Sequence, residues 1–156
     1  MKLLLSILSL FFALNGFSQQ NSSALKFVNP SSVATPKGYS QSAQVDLGNS
    51  TLLLISGQVP LDKQGNLIGK DNFSQQTEQV FANIKSIIEE AGGTMNHLAK
   101  ITIFIKDVSK IQLVRDIRDR FVNIQAPPAS TLVEVSKLYR DDVMIEIEAT
   151  AVIPKK

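Results

Sequence analysis

Residues 143–153 of this 156-residue chain read VMIEIEATAVI, and the alternation within this segment decides the fold class. Apolar side chains recur at every second position on one face: Ile145, Ile147 and Ala149. A period of two is typical of a β-strand. On the other face, Glu146 and Glu148 put two carboxylates among apolar neighbours, where they need partners or raised pKa values. The pattern leaves two explanations open: a functional site, or a sheet edge or interface salt bridge.

The segments upstream of this strand alternate between strand and helix patterns. Strand patterns lie at residues 39–47, 51–56, 101–106 and 131–135, and helical patterns at residues 73–91 and 109–126. The first two strands form a predicted hairpin, Gly92-Gly93 ends the first helix, and Ser109 is the predicted cap of the second. The order ββαβαββ predicts an α+β fold, a mixed β-sheet with two helices packed on one face.

The predicted sheet has a second face that two helices on one side leave uncovered. Successive side chains of a strand point to opposite faces of the sheet, and the apolar side chains of these strands occupy both faces. The following residues therefore cannot all face the helices: Leu53, Phe104, Leu132, Val133 and Val152. An exposed apolar sheet face needs a partner, and self-association is the commonest solution. We therefore predict a homo-oligomer, and the alternative is a monomer with an unusually apolar surface.

The N-terminus has the pattern of a secretory signal peptide. Lys2 precedes an apolar run over residues 3–14, after which the chain turns polar. The run is shorter than the roughly 20 apolar residues of a membrane span, and an uncleaved anchor is the alternative. Residues 1–18 are predicted to be removed, which exports the protein to the periplasm or the exterior without membrane contact. Residues 19–36 are predicted to be a linker or an edge-strand lead-in, and residues 37–156 a single domain.

Composition and motifs exclude several classes of chemistry. The chain has no Cys and one His, which excludes disulfides, thiolate metal sites, a Cys nucleophile and any paired-imidazole metal site. No nucleotide-binding or phosphate-binding motif occurs, so neither a metal nor a cofactor is predicted. The formal net charge of +2, without a basic cluster, argues against a nucleic-acid partner.

Six short segments carry a family resemblance. They are GYSQ (38–41), ISGQVPL (55–61), the helix from NIK to AGG (83–93), KITIF (100–104), PASTLVEV (128–135) and IEIEA (145–149). In this order they resemble the reactive-intermediate deaminase family, also called the Rid, RidA-type, YjgF-like or endoribonuclease L-PSP family. The resemblance implies a YjgF-like (chorismate-mutase-like) fold, a homotrimer, and a small-molecule ligand bound in the clefts between subunits.

The resemblance also implies a chemistry. Active members of the family hydrolyse reactive enamines and imines such as 2-aminoacrylate to a 2-keto acid and ammonia, without a metal or cofactor. Carried over to this sequence, Glu146 is the catalytic residue that places or activates water, while Tyr39 and Gly57 line the cleft. The family's carboxylate-binding Arg falls at position 130, where this chain has Ser130.

Ser130 changes what is expected of the activity. An Arg–carboxylate pair is bidentate and charge-assisted, and without it a substrate carboxylate would face Glu146 unneutralised. We expect loss of imine hydrolysis, or a substrate that lacks the carboxylate, unless Arg115 on the second helix supplies the guanidinium. Two functions stay open: an enamine/imine deaminase, and a non-catalytic trimer that binds a small metabolite outside the cytoplasm.

Overall fold

A computed structural model describes residues 24–155, so the predicted signal peptide at residues 1–18 lies outside the described residues. The strands and helices are β1 Leu25–Val28, β2 Ser42–Asp46, β3 Ser50–Gln58, α1 Phe73–Glu90, β4 Leu98–Ile105, α2 Ile111–Arg118, β5 Ala129–Glu134 and β6 Ile145–Pro154. Single 3-10 turns precede β4 and α2, at Met95–His97 and Val108–Lys110. β1 lies within residues 19–36 and pairs with β2 at the edge of the sheet.

The strands form one mixed sheet in the order β1-β2-β3-β6-β4-β5. Only the β4–β5 pair, joined through α2, is parallel within residues 24–155, and its neighbours pair antiparallel. β3 pairs with β2 in the hairpin, and α1 then carries the chain from β3 to β4 without pairing these two strands. β6 inserts between β3 and β4 and pairs antiparallel with both. The sheet-edge explanation of Glu146 and Glu148 is therefore wrong, since both residues stand on a central strand.

Both helices cover the same face of the sheet, as the sequence predicts. The apolar stripe of α1 is buried against it: Phe73, Val80, Phe81, Ile84, Ile87 and Ile88. From the sheet, Ile145 and Ile147 of β6 are fully buried in this core, and burial of each such side chain contributes about 1.5–3 kcal/mol. Neither helix of residues 24–155 combines the length and apolar content needed to cross a bilayer.

The helix starts follow local side-chain hydrogen bonds. The Asn72 side chain caps α1 by accepting a hydrogen bond of 3.1 Å from the backbone N–H of Gln75. The prediction that Ser109 caps the second helix is wrong. Asp107 accepts the backbone N–H of Ser109 at 2.9 Å, and Ser109 itself lies inside the 3-10 turn that leads into α2.

The opposite side of the sheet stays uncovered in a single protomer. We call this the open face, and it includes Leu52, Leu54, Phe104, Val133 and Val152. Leu54, Val133 and Val152 are 43%, 40% and 39% exposed, whereas Leu53 and Leu132 belong to the helix side. An apolar face of this kind needs a partner surface.

Candidate functional site

A cavity of about 870 Å³ lies where the end of β3 meets the start of β6. Its volume is within the range of small-molecule sites, roughly 300–1,000 Å³. Three of the predicted site residues, Tyr39, Gly57 and Glu146, line it together. Four ionisable side chains to which the sequence analysis assigned no role also line it: Lys37, Lys63, Tyr139 and Arg140.

Gly57 and Glu146 are in direct contact in the wall of this cavity. The register of β3 against β6 shifts between Ile55 and Gln58, and Gly57 lies within that irregularity. A Cβ atom added to Gly57 would overlap Oε1 of Glu146 and would lie 2.8 Å from its Cδ. Glycine therefore lets the carboxylate of Glu146 lie directly against the backbone of β3, and a larger residue at this position would displace it.

The environment of Glu146 suits a group that accepts and returns a proton. Burial raises the pKa of Glu146, and repulsion from Glu148 raises it further. Neither carboxylate forms an ion pair within residues 24–155, so one protomer does not supply the predicted salt-bridge alternative. A raised carboxyl pKa in a cavity is typical of a general acid or base.

Tyr39 is presented to the cavity by an anchored segment. Gln58 donates a 2.8 Å hydrogen bond from Nε2 to Oε1 of Gln41, and Gln41 donates from Nε2 to the carbonyl of Ala34 at 2.7 Å. Burial raises the pKa of Tyr39, and the nearby charges of Tyr139 and Glu146 add to the effect. The Tyr39 hydroxyl therefore stays protonated at neutral pH and is available as a hydrogen-bond donor.

Arg140 lies on the loop between β5 and β6 and carries a fixed guanidinium. Its Nε and Nη2 donate hydrogen bonds of 2.8 and 2.6 Å to the two carboxylate oxygens of Asp142. The pairing raises the pKa of Arg140 and holds the pKa of Asp142 below its ordinary range. Such a bidentate pair fixes the plane of the guanidinium as well as its position.

Gln76 ties the Arg140 loop to α1. Its side chain is fully buried, and Nε2 donates a 2.8 Å hydrogen bond to the carbonyl of Asp142. Its Oε1 accepts the backbone N–H of Met144, also at 2.8 Å. The Gln76 amide therefore satisfies two backbone groups on the segment that leads into β6. It thereby helps to position Arg140 and Glu146, which lie on either side of these groups.

We expect Gln76→Ala to lower the free energy of unfolding by about 2–4 kcal/mol, because two buried backbone groups lose their partners. Thermal or denaturant unfolding measures the effect. Gln75→Ala is the matched control on the exposed side of the same helix, and it should change stability by less than about 0.5 kcal/mol. Equal stability of both variants with the wild type would contradict the role assigned to Gln76.

The structure does not bring Ser130 and Arg115 into the cavity of one protomer. Ser130 pairs with Ile101, whose buried side chain faces the helices, whereas Glu146 pairs with Phe104 on the open face. Arg115 is exposed on α2, and α2 packs beside α1 on the covered side. The alternative in which Arg115 supplies the missing guanidinium therefore needs a second protomer, whereas Arg140 lines the cavity within one protomer.

Metal-ligand geometry is absent from the described region. Within residues 24–155, no three His, Asp or Glu side chains come together as metal ligands would. His97 has a local structural role, because its Nδ1 accepts the backbone N–H of Thr94 at 3.0 Å in the turn before β4.

Comparisons with known proteins show which family the chain is similar to in sequence and fold. A family model described as Endoribonuclease L-PSP matches residues 30–153. A RutC family protein of Pyrococcus abyssi is 37% identical over 113 residues, which cover 72% of this chain and 84% of the relative. The Rid-family protein YyfA of Yersinia pestis superposes with a TM-score of 0.74 at 30% identity, over 83% of this chain and 100% of that one. Escherichia coli TdcF, solved with bound serine, superposes with a TM-score of 0.67 at 27% identity, over 81% and 98%.

Proposed function

Because the chain belongs to the endoribonuclease L-PSP family, in which its RutC and Rid relatives are found, we propose that it hydrolyses small reactive enamines and imines of the 2-aminoacrylate type. The observation that carries this proposal is the half-buried carboxylate of Glu146, which lies against Gly57 in a cavity that also contains Tyr39. These groups can move a proton and donate a hydrogen bond without a metal or a cofactor.

The proposed reaction consumes one water and releases one ammonia. The enamine first tautomerises to an imine, which takes a proton from solvent on nitrogen. Water then adds to the carbon of the C=N bond while one of its protons passes to Glu146, which gives a neutral carbinolamine. Glu146 returns this proton to the nitrogen and then accepts the hydroxyl proton as the C–N bond breaks. Ammonia and a 2-keto acid leave, and Glu146 releases its proton to solvent. Tyr39 donates a hydrogen bond within the same cavity and orients the polar end of the substrate.

The ligand class has support from a relative. The TdcF structure contains serine, a small molecule with an amino group and a carboxylate on one carbon. A 2-aminoacrylate-type substrate is of similar size and also has its amino group and carboxylate on one carbon. The proposed substrate therefore resembles the serine that TdcF binds.

The test generates the enamine in situ by β-elimination from an amino acid and follows its disappearance by absorbance. We expect the wild-type protein to accelerate 2-keto acid formation by about 100-fold or more over buffer, in line with proton-transfer catalysis. No acceleration at any pH would reject the hydrolase.

Ser130 favours a second candidate, a trimer that binds a small metabolite without converting it. Its neutral hydroxyl stands where the family pattern has a guanidinium, so binding could persist while turnover is lost. A protein that binds 2-oxobutyrate but leaves the enamine decay rate unchanged would support this candidate.

We also propose that the chain is a homotrimer assembled through the open face, and that residues 1–18 direct its export. We expect Leu54→Lys to produce monomers in light scattering, because a charge would be buried at the centre of the interface. Leu47→Lys is the matched control, since Leu47 is similarly exposed, at 51%, but lies in the turn between β2 and β3. A wild-type monomer would contradict the assembly.

A further inference from the structure

The cavity wall of a single protomer already contains a guanidinium, and we propose that Arg140 binds the carboxylate of the ligand in the role that the family pattern assigns to position 130. The inference rests on the proposed function, because it takes the cleft around Glu146 as the ligand site. It adds the residue that binds the carboxylate of this ligand in a chain that has Ser130 at the family's Arg position.

The charge of the cavity favours an anion. Within residues 24–155 its wall contains the cations Lys37, Lys63 and Arg140 and a single carboxylate, Glu146. Asp142, which pairs with Arg140, is outside this wall. In a partly dehydrated cavity, such an excess of positive groups attracts small anions and disfavours neutral or cationic molecules.

Arg140 differs from the two lysines in being held in place. Lys37 and Lys63 are exposed and form no ion pair within residues 24–155, so each is a hydrated charge on a flexible stem. Asp142 fixes Arg140 through two of its five N–H groups, and the Tyr139 hydroxyl lies beside it. The N–H groups that stay available are preorganised, and a ligand loses little entropy in ordering them.

The position of Arg140 also removes the like-charge conflict with Glu146. Both residues line the same cavity, so a ligand carboxylate can pair with Arg140 while its C=N group lies beside Glu146. Ser130 offers no charge, and within one protomer its strand register turns it to the helix side of the sheet. Arg140 is thus the cation that can pair with the ligand carboxylate and keep it away from the carboxylate of Glu146.

The test compares binding of 2-oxobutyrate with binding of its primary amide, 2-oxobutanamide, to the full chain by calorimetry near neutral pH. The two probes differ only in the charged group. For the wild type we expect the acid to bind about 10- to 100-fold more tightly than the amide, as one charge-assisted pair predicts. Arg140→Ala should bring this ratio close to one, because only the acid loses a charge-assisted pair.

Three further variants make the result specific. Arg140→Lys keeps the positive charge without the planar guanidinium, and it should retain part of the acid-to-amide affinity ratio. Asp142→Asn should reduce this ratio because Arg140 loses its positioning partner. Arg115→Ala is the matched control on α2 and should leave the ratio at its wild-type value. An unchanged ratio in Arg140→Ala, a ratio lost in Arg115→Ala, or equal binding of both probes by the wild type would overturn the proposal.

Circular dichroism checks that Arg140→Ala is folded, and its remaining binding of the amide checks that the cavity is still present. The enamine assay with the wild type and Arg140→Ala distinguishes the hydrolase proposal from the proposal that Arg140 binds the carboxylate. Selective binding of the acid without turnover rejects the hydrolase and keeps Arg140 as the carboxylate-binding residue. Turnover of 2-aminoacrylate that survives Arg140→Ala with unchanged KM keeps the hydrolase and rejects Arg140.

Discussion

Glu146→Gln is expected to lower kcat/KM for enamine hydrolysis by a factor of roughly 100 to 10,000, the usual contribution of a general acid or base. The amide has nearly the same shape as the carboxyl group but cannot accept a proton from water. The fold should persist, because burial and Glu148 both disfavour the charged form of Glu146. Removing that charge should leave Tm unchanged or raise it at neutral pH, and full activity of the variant would contradict the assigned role.

Glu148→Gln is the matched control, two residues further along the same face of β6. It should stay active and shift the acid limb of the pH profile. A general base must be ionised, so activity falls as the pH drops through the raised pKa of Glu146. Glu148 repels the ionised form, and its removal lowers that pKa. The acid limb should therefore move to lower pH, and a shift to higher pH would reject this electrostatic assignment.

Gly57→Ala is expected to lower kcat by about 100-fold or more with little loss of folded protein, because displacing the carboxylate forfeits most of its acid–base contribution. The added methyl group would overlap Oε1 of Glu146, so the carboxylate must leave its position against β3. The φ angle of Gly57 is not in the left-handed region, so the backbone itself tolerates alanine. Kinetics combined with circular dichroism measures both effects.

Gly93→Ala is the steric control for this substitution. Its added Cβ would lie 2.8 Å from Cδ1 of Ile153 and 2.9 Å from Cγ2 of Ile88, which are core side chains away from the cavity. Overpacking of this kind costs typically 1–3 kcal/mol of stability. Gly93→Ala should therefore lower Tm and keep the kcat of the folded fraction. A Gly57→Ala variant that loses stability but keeps its kcat would contradict the contact between Gly57 and Glu146.

Much of the fold follows from local patterns. The alternation over residues 143–153 predicts β6 and the faces of its side chains, and the helical spacing predicts α1 and its buried stripe. The apolar residues at both strand parities predict the open face. These inferences succeed because burial on one side of a strand or helix imposes a period that the chain itself carries. The boundaries were less accurate, since Asp107 caps the turn before α2 where Ser109 was expected.

The family pattern in the sequence also indicates Tyr39, Gly57 and Glu146, and the structure brings these three residues to one cavity. Their spatial relation is not a local property. The contact between Gly57 and Glu146 needs β6 to insert beside β3 and the register to shift next to Gly57. Strand order and register are set by pairings between distant segments, and no periodicity within either strand specifies them.

Only the tertiary structure decides where the cations of the cavity stand. Arg140 lies in a loop, where no periodicity constrains side-chain direction, and nothing in its neighbours along the chain marks it as a cavity residue. Its position depends on the Asp142 pair and on Gln76, whose bond to Met144 joins residues 68 positions apart. The sequence by itself therefore determines the layers and the open face, and its family resemblance indicates the carboxylate of the candidate site. The position of the guanidinium in the same cavity depends on its local pair with Asp142 and on the long-range hydrogen bonds of Gln76, and the long-range bonds exist only once the chain has folded.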